Sequence, residues 1–175
     1  MEKLDFKTIK KYTRVGSYCV HTSIQYLDET IERYIKTYGC QLNPDFQRGH
    51  VWNESQQISF VEFILRGGQI QTLLFNHPHW MGNFDHDTDD MVLVDGLQRL
   101  TAILKFLKNE LPIFGGYKRD EIDGLMLGLF DIQISVNNLK TKKEVLQWYI
   151  ELNSGGTVHT PEEIEKVKQL IEKEK

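Results

Sequence analysis

Cysteine is scarce in this chain: only Cys19 and Cys40 occur, far apart and in no metal-knuckle spacing. That excludes a disulfide-stapled scaffold, and with no secretory leader pattern both are expected to be reduced, buried thiols. No apolar run approaches a membrane span, so no membrane partner is expected and the setting is expected to be cytoplasmic. An excess of positive charge is also missing. The net charge is −4, so the chain as a whole carries no electrostatic footprint for nucleic acid. There is no Gly-x-x-x-x-Gly-Lys-Ser/Thr segment, which excludes an ordinary P-loop ATPase, and no Gly-x-Ser-x-Gly elbow of a serine hydrolase.

What is present is ordinary in bulk. Hydrophobic residues make up 40% and charged ones 26% of 175 residues, enough for one domain with its own core. Residues 1–20 read as a lead-in holding at most one strand. Lys7, Lys10, Lys11 and Arg14 there are expected to be a solvated terminus. Residues 21–175 are expected to form a single domain. Thr22 or Ser23 caps a helix with apolar residues at Ile24, Leu27, Ile31 and Tyr34, ended by Gly39. A helix from residue 54 follows the capping-box pair Asn53 and Gln56 and ends at Gly67-Gly68. Further helices are expected near 97–108, 141–152 and 161–173, the last opened by Thr160-Pro161.

Strands are expected near 40–43, 70–75, 91–95 and 129–136, with a short one at Pro112-Ile113-Phe114. In the run from Phe130 to Val136, Asp131, Gln133 and Ser135 fall on one face and the apolar residues on the other. The fold class is therefore mixed α/β, a small mixed sheet packed by about five helices.

The stretch with the most chemistry is Val94-Asp95-Gly96-Leu97-Gln98-Arg99-Leu100-Thr101. A strand-forming run enters Asp95-Gly96, and from Leu97 the apolar residues take helix spacing. A strand–turn–helix of this kind leaves backbone N–H groups free at the positive end of the helix dipole, a site suited to phosphate. Gln98 and Arg99 in the first turn add an amide and a planar guanidinium. Asp95 can hold a metal ion or a water, or simply cap the helix. Trp52 is expected to pack its loop onto the core, with base stacking left open. The polar segment 76–90 carries His77, His79, Asp85, His86, Asp87, Asp89 and Asp90, but its spacing fits no standard metal site. It reads as a lid or a hairpin tip.

Asp95-Gly96-Leu97-Gln98-Arg99-Leu100-Thr101 closely resembles the Asp-Gly-Gln-Gln-Arg-Leu-Thr signature of the N-terminal domain family of GmrSD-type modification-dependent restriction proteins. Two further stretches agree with that family in order and spacing, Asn43 to Trp52 and Glu151-Leu152-Asn153-Ser154-Gly155-Gly156, so the resemblance covers roughly residues 40 to 170. It implies a ParB/sulfiredoxin-like fold and a nucleotide pocket. Gln47, Arg48, Gly96, Arg99, Thr101, Asn153, Gly155 and Gly156 would bind the nucleotide, and Asp95, Gln98 and Arg99 would act on it, Asp95 holding Mg2+. The activity implied is hydrolysis of a nucleoside triphosphate, or transfer of its phosphate, in DNA restriction, anti-restriction or phage defence. The alternatives are a non-catalytic module that senses modified DNA or engages a protein of a restriction system, and a ParB-like nuclease dependent on His77, His79 or His86. The reactive cysteine of sulfiredoxins matches Leu97, which cannot do that chemistry, so sulfinic-acid reduction is not expected. Leu97 also departs from the family signature, which has Gln there. The restriction proteins carry a C-terminal HNH-type nuclease domain for which this chain has no room, so the N-terminal module is expected to act alone.

Overall fold

Period-two alternation in short apolar runs and capped helical runs between them build a mixed sheet with helices on both faces. The structure, a computed structural model, describes residues 5, 8–14, 16, 18–47, 49, 51–80, 91–154 and 161–173. Four strands, β1 (Tyr18–Ser23), β2 (Leu73–Asn76), β3 (Val92–Asp95) and β4 (Asp131–Asn137), stand in the order β1-β4-β2-β3. β4 runs antiparallel to β1 and parallel to β2, and β2 and β3 are antiparallel with a register shift between Leu74 and Phe75. The helices are α1 (Leu27–Tyr38), α2 (Glu54–Leu65), α3 (Leu97–Leu107), α4 (Lys142–Ser154) and α5 (Pro161–Lys173).

Alternation decides which side chain meets which layer. Leu73 and Phe75 of β2, Leu93 of β3, and Ile132, Ile134 and Val136 of β4 form one core with Leu27, Ile31 and Tyr34 of α1 and Leu100, Ile103 and Leu107 of α3. Leu74 and Val94 belong to a second core with Val145, Leu146, Trp148 and Tyr149 of α4 and Val167 of α5. A third cluster joins Val61 of α2 to Ala102 and Phe106 of α3. Each such side chain, fully buried, contributes about 1.5–3 kcal/mol before chain entropy is counted. β2 and β3 are thus clamped from both sides, and the end of β3 is fixed where α3 begins.

Local capping sets the helix ends. Asn53 Oδ1 accepts from the Gln56 N–H and Gln56 Oε1 from the Asn53 N–H, both at 2.9 Å. At α4 the Glu144 carboxylate accepts from the Thr141 N–H at 3.0 Å while Thr141 Oγ1 accepts from the Glu144 N–H at 3.2 Å. The Thr141 backbone bond holds the Glu144 carboxyl below its ordinary range. Ser23 caps as expected, but the first turn it opens, Ile24–Tyr26, is a 3-10 helix that passes into α1, which ends at Gly39.

Several expectations are corrected. The stretch near 40–43 is a single parallel bridge between Gln41 and Val92, because Pro44 has no N–H to continue a ladder and the chain turns there, the Gln47 N–H bonding the Pro44 carbonyl at 3.0 Å. Pro112-Ile113-Phe114 is likewise one bridge, Ile113 to Tyr117, since Phe114 sits at φ 48° and turns the chain. Cys40 is buried, and desolvation pushes its thiol up to about 12, but Cys19 lies exposed on β1 with its sulfur 2.9 Å from Ser135 Oγ. The one strand allowed for in the lead-in is β1, which starts at Tyr18 and runs on to Ser23. Among the described residues no helix is long and apolar enough to cross a membrane.

Candidate functional site

The end of β3 turns into α3 through Gly96, at φ 110° and ψ 8°. A Cβ built there would lie 2.5 Å from Leu73 Cδ2 and 3.3 Å from Arg99 Nη2, so the turn needs glycine on two grounds, backbone and space. No side chain caps α3. Its opening N–H groups and the positive end of its dipole therefore border a cavity of about 500 Å³ lined by Val94 to Arg99. The opposite wall comes from Tyr149, Leu152 and Asn153 of α4, and the rim from Gln47, Gly49, Trp52 and Gln71.

Arg99 lines this cavity yet is only 8% exposed. A buried guanidinium is stable only when paired and hydrogen-bonded. Its Nη2 donates to Asp95 Oδ2 at 2.6 Å and, more weakly, to the Thr72 carbonyl at 3.4 Å, while Nη1 donates to Gln71 Oε1. Among the described residues Asp95 is the only carboxylate and Arg99 the only cation in the cavity wall.

Gln98 has a different task. Its Oε1 accepts from the Val51 and Trp52 N–H groups at 2.9 and 3.0 Å, and its Nε2 donates to the Gly49 carbonyl at 2.8 Å. Gln47 Nε2 donates to the Leu93 carbonyl at 2.5 Å. Both glutamines thus pin the 43–52 loop, one to the start of α3 and the other to β3. Trp52 packs edge-on against Phe60, ring centroids 5.3 Å apart, and lines the cavity as well.

The fold thus brings together Gln47, Asp95, Gly96, Gln98, Arg99 and Asn153 from separate parts of the chain. Thr101 is elsewhere: its hydroxyl donates to the Leu97 carbonyl one turn back in α3 at 2.8 Å, and it is not part of the wall. Arg48, Gly155 and Gly156 lie outside the described residues. Asn153 Nδ2 donates to the Tyr149 carbonyl at 2.7 Å. Leu97 both lines the cavity and packs on the main core. Sequence reasoning missed Gln71, Tyr149 and Leu152. Only the pairing of Leu74 with Asp95 across the hairpin brings Gln71 near Arg99, and no local pattern carries that register.

The histidine-rich segment behaves otherwise. His77 is 3% exposed, packed edge-on against Tyr38 and Trp80, with its Nδ1 accepting from the His79 N–H at 3.2 Å. Among the described residues no group of three or more His, Cys, Asp or Glu is placed to hold a metal ion. Asp85, His86, Asp87, Asp89 and Asp90 lie outside them.

With the turn, the buried arginine and the pinned loop in place, the family comparison is decisive. The model of the GmrSD restriction endonuclease N-terminal domain matches residues 27–131, more than half of the chain. The chain belongs to that family. Comparison with curated proteins and with solved structures gave no match. The GmrSD span includes both Asn43 to Trp52 and Asp95 to Thr101, and it ends before Glu151 to Gly156. The contribution of α4 to the cavity therefore rests on geometry alone. GmrSD membership suggests a restriction-system setting, with DNA or protein partners.

Proposed function

We propose that this domain binds a nucleoside triphosphate in the cavity at the start of α3 and hydrolyses it, or transfers its phosphate, as part of DNA restriction or its inhibition. One observation carries the reading. A buried arginine and the uncapped start of a helix face the same space, at a turn where a side chain larger than glycine does not fit. Guanidinium and backbone N–H groups are the donors that phosphate chemistry needs, and phosphoryl transfer asks a protein mainly for positioning and charge neutralisation. In this reading Arg99 neutralises the phosphates, Asp95 holds a divalent cation such as Mg2+ or orients the attacking water, and Gln98 keeps the loop closed over them. Trp52 and Tyr149 offer aromatic surface for a base.

Titration calorimetry of ATP, GTP, CTP and dTTP with magnesium tests this on wild type, Arg99→Ala and Arg99→Lys. Binding of at least one nucleotide is expected, lost in Arg99→Ala and weakened in Arg99→Lys, which keeps the charge and loses the fork. Silence with all four in wild type overturns the reading. A binding or sensing module without turnover, engaging modified DNA or a restriction protein, is the second reading. It is favoured by the single carboxylate in the described wall, which already serves Arg99. Nucleotide binding without phosphate release, with magnesium present, selects it.

A further inference from the structure

Arg99 is held from two sides by groups of different character. From the segment entering β2 come two neutral acceptors, Gln71 Oε1 and the Thr72 carbonyl. From the end of β3 comes a charged one, the Asp95 carboxylate at 2.6 Å. The two charged side chains differ sharply in exposure, 10% for Arg99 and 44% for Asp95. The arginine is fixed in the wall, and its carboxylate partner stands at the solvent side of the contact.

Position sharpens the contrast. Asp95 immediately precedes Gly96, the N-cap of α3, so its negative charge lies at the positive end of the helix as well as on the guanidinium. One side chain thereby occupies the guanidinium and stands beside the uncapped helix start, the two features of the cavity that attract anions. An incoming phosphate competes with it for Nη2 and is repelled by it at the helix start. Gln71 carries no charge, so it can keep its bond to Nη1 and leave the guanidinium fully positive.

We propose that Gln71 is the positioning residue that braces Arg99, and that Asp95 is an exchangeable counter-ion which a phosphate group displaces from it. The inference rests on the phosphate-binding reading of the cavity. Displacement leaves a carboxylate beside a phosphate, an arrangement that a divalent cation relieves by sitting between them. Cation and phosphate therefore assist one another, each binding poorly alone.

The test uses tripolyphosphate as the probe, titrated into the full chain with all divalent cations removed. Asp95→Asn keeps the shape and removes the charge, and it binds tripolyphosphate about tenfold more tightly than wild type, inside the ~5–150-fold range of coupled sites. Asp95→Ser, carried alongside, shifts the same way. Gln71→Leu weakens binding several-fold, with thermal melting confirming a folded chain. In an Arg99→Gln background Gln71→Leu no longer changes affinity and the gain from Asp95→Asn falls to the small part due to the helix start, because the main effect of both runs through the guanidinium. Adding magnesium improves binding more in wild type than in Asp95→Asn.

Weaker or unchanged binding in both Asp95 variants makes Asp95 a second brace and overturns the proposal, as does an unchanged Gln71→Leu. Failure of the underlying reading looks different: wild type, Asp95→Asn and Asp95→Ser all ignore tripolyphosphate with or without magnesium.

Discussion

Gly96→Ala isolates the cost of the turn that the cavity depends on. Two penalties can be worked from the structure. The backbone sits at φ 110°, where a residue with a Cβ is strained by roughly 1–3 kcal/mol. The new methyl would meet Leu73 Cδ2 at 2.5 Å. Leu73 is 0% exposed inside the main core, so its side chain has no free volume to swing into, and overpacking of this kind costs about 1–3 kcal/mol. Alanine returns ~0.4–1 kcal/mol by restricting the unfolded chain. The net loss is about 2–4 kcal/mol, which for a domain of this size lowers Tm by roughly 5–15 °C. Gly115→Ala serves as the internal control. Gly115 sits at φ 87° with nothing within 4 Å of a built Cβ, so it meets strain without a clash. It should lose only about 1–2 kcal/mol. Melting followed by circular dichroism compares the two variants with wild type. If both melt at the same temperature, the Leu73 contact contributes nothing. A Gly96→Ala chain melting within about 2 °C of wild type refutes the strain argument too.

Three further outcomes follow from the structure. Gln98→Ala removes three bonds to the backbone of the 49–52 loop, so it should cost about 1.5–4 kcal/mol and speed deuterium exchange at the Val51 and Trp52 amides; unchanged exchange there denies Gln98 the clamp role. Desolvation by burial raises Cys40 from 9.0 and Tyr34 from 10.0, each to about 12. Both stay neutral in the fold, while the unfolded chain gives up these protons from about pH 9 upward. Their contribution to stability is therefore complete below pH 9 and lost as pH rises toward 12, which urea titrations across that range detect. At pH 8 a thiol reagent should label Cys19 in the native chain and reach Cys40 only on unfolding; native labelling of Cys40 contradicts its burial.

The helices were legible because their signals are local. Asn53 with Gln56, Ser23 and Gly39 name their ends within a turn of chain, and the structure uses each of them. Strands depend on a partner that no short window contains. Cys40-Gln41-Leu42 has strand character, yet only Gln41 finds a partner in Val92 before Pro44 turns the chain away. Phe114 has strong strand propensity and takes φ 48° nonetheless, because the Ile113–Tyr117 bridge requires a tight turn between them. The apolar face of β4 was legible, since Ile132, Ile134 and Val136 alternate over a run long enough to fix it, although the strand runs Asp131–Asn137 and Ser135 on its other face is buried too. For the site, residue types told what each group can do and not which partner it finds. The motif placed Gln98 beside Arg99 at the helix start. Its commitment to Gly49, Val51 and Trp52 depends on a loop nearly fifty residues earlier, brought there by packing.

Hydrogen-bonding capacity then separates scaffold from chemistry within the motif. An amide oxygen offers two lone pairs, and both of those on Gln98 are engaged by the Val51 and Trp52 N–H groups. Gln98 can therefore accept from a water only by releasing the loop that walls the cavity, and for a phosphate oxygen it keeps one Nε2 N–H beside the one given to Gly49. Thr101 is spent on the carbonyl of Leu97. Arg99 differs. A guanidinium carries five N–H donors, and the contacts to Gln71, Thr72 and Asp95 use three of them. Two remain with Asp95 in place, and a third is freed if the carboxylate swings out, enough for bidentate contact with a phosphate while Gln71 keeps its hold. Of the motif side chains, Arg99 retains the most donors after the fold has taken its share, two against one on Gln98 Nε2, and only Arg99 brings a positive charge. Charge neutralisation of an anion in this cavity therefore centres on Arg99 and the backbone at the start of α3, with Asp95 as the group that competes for them.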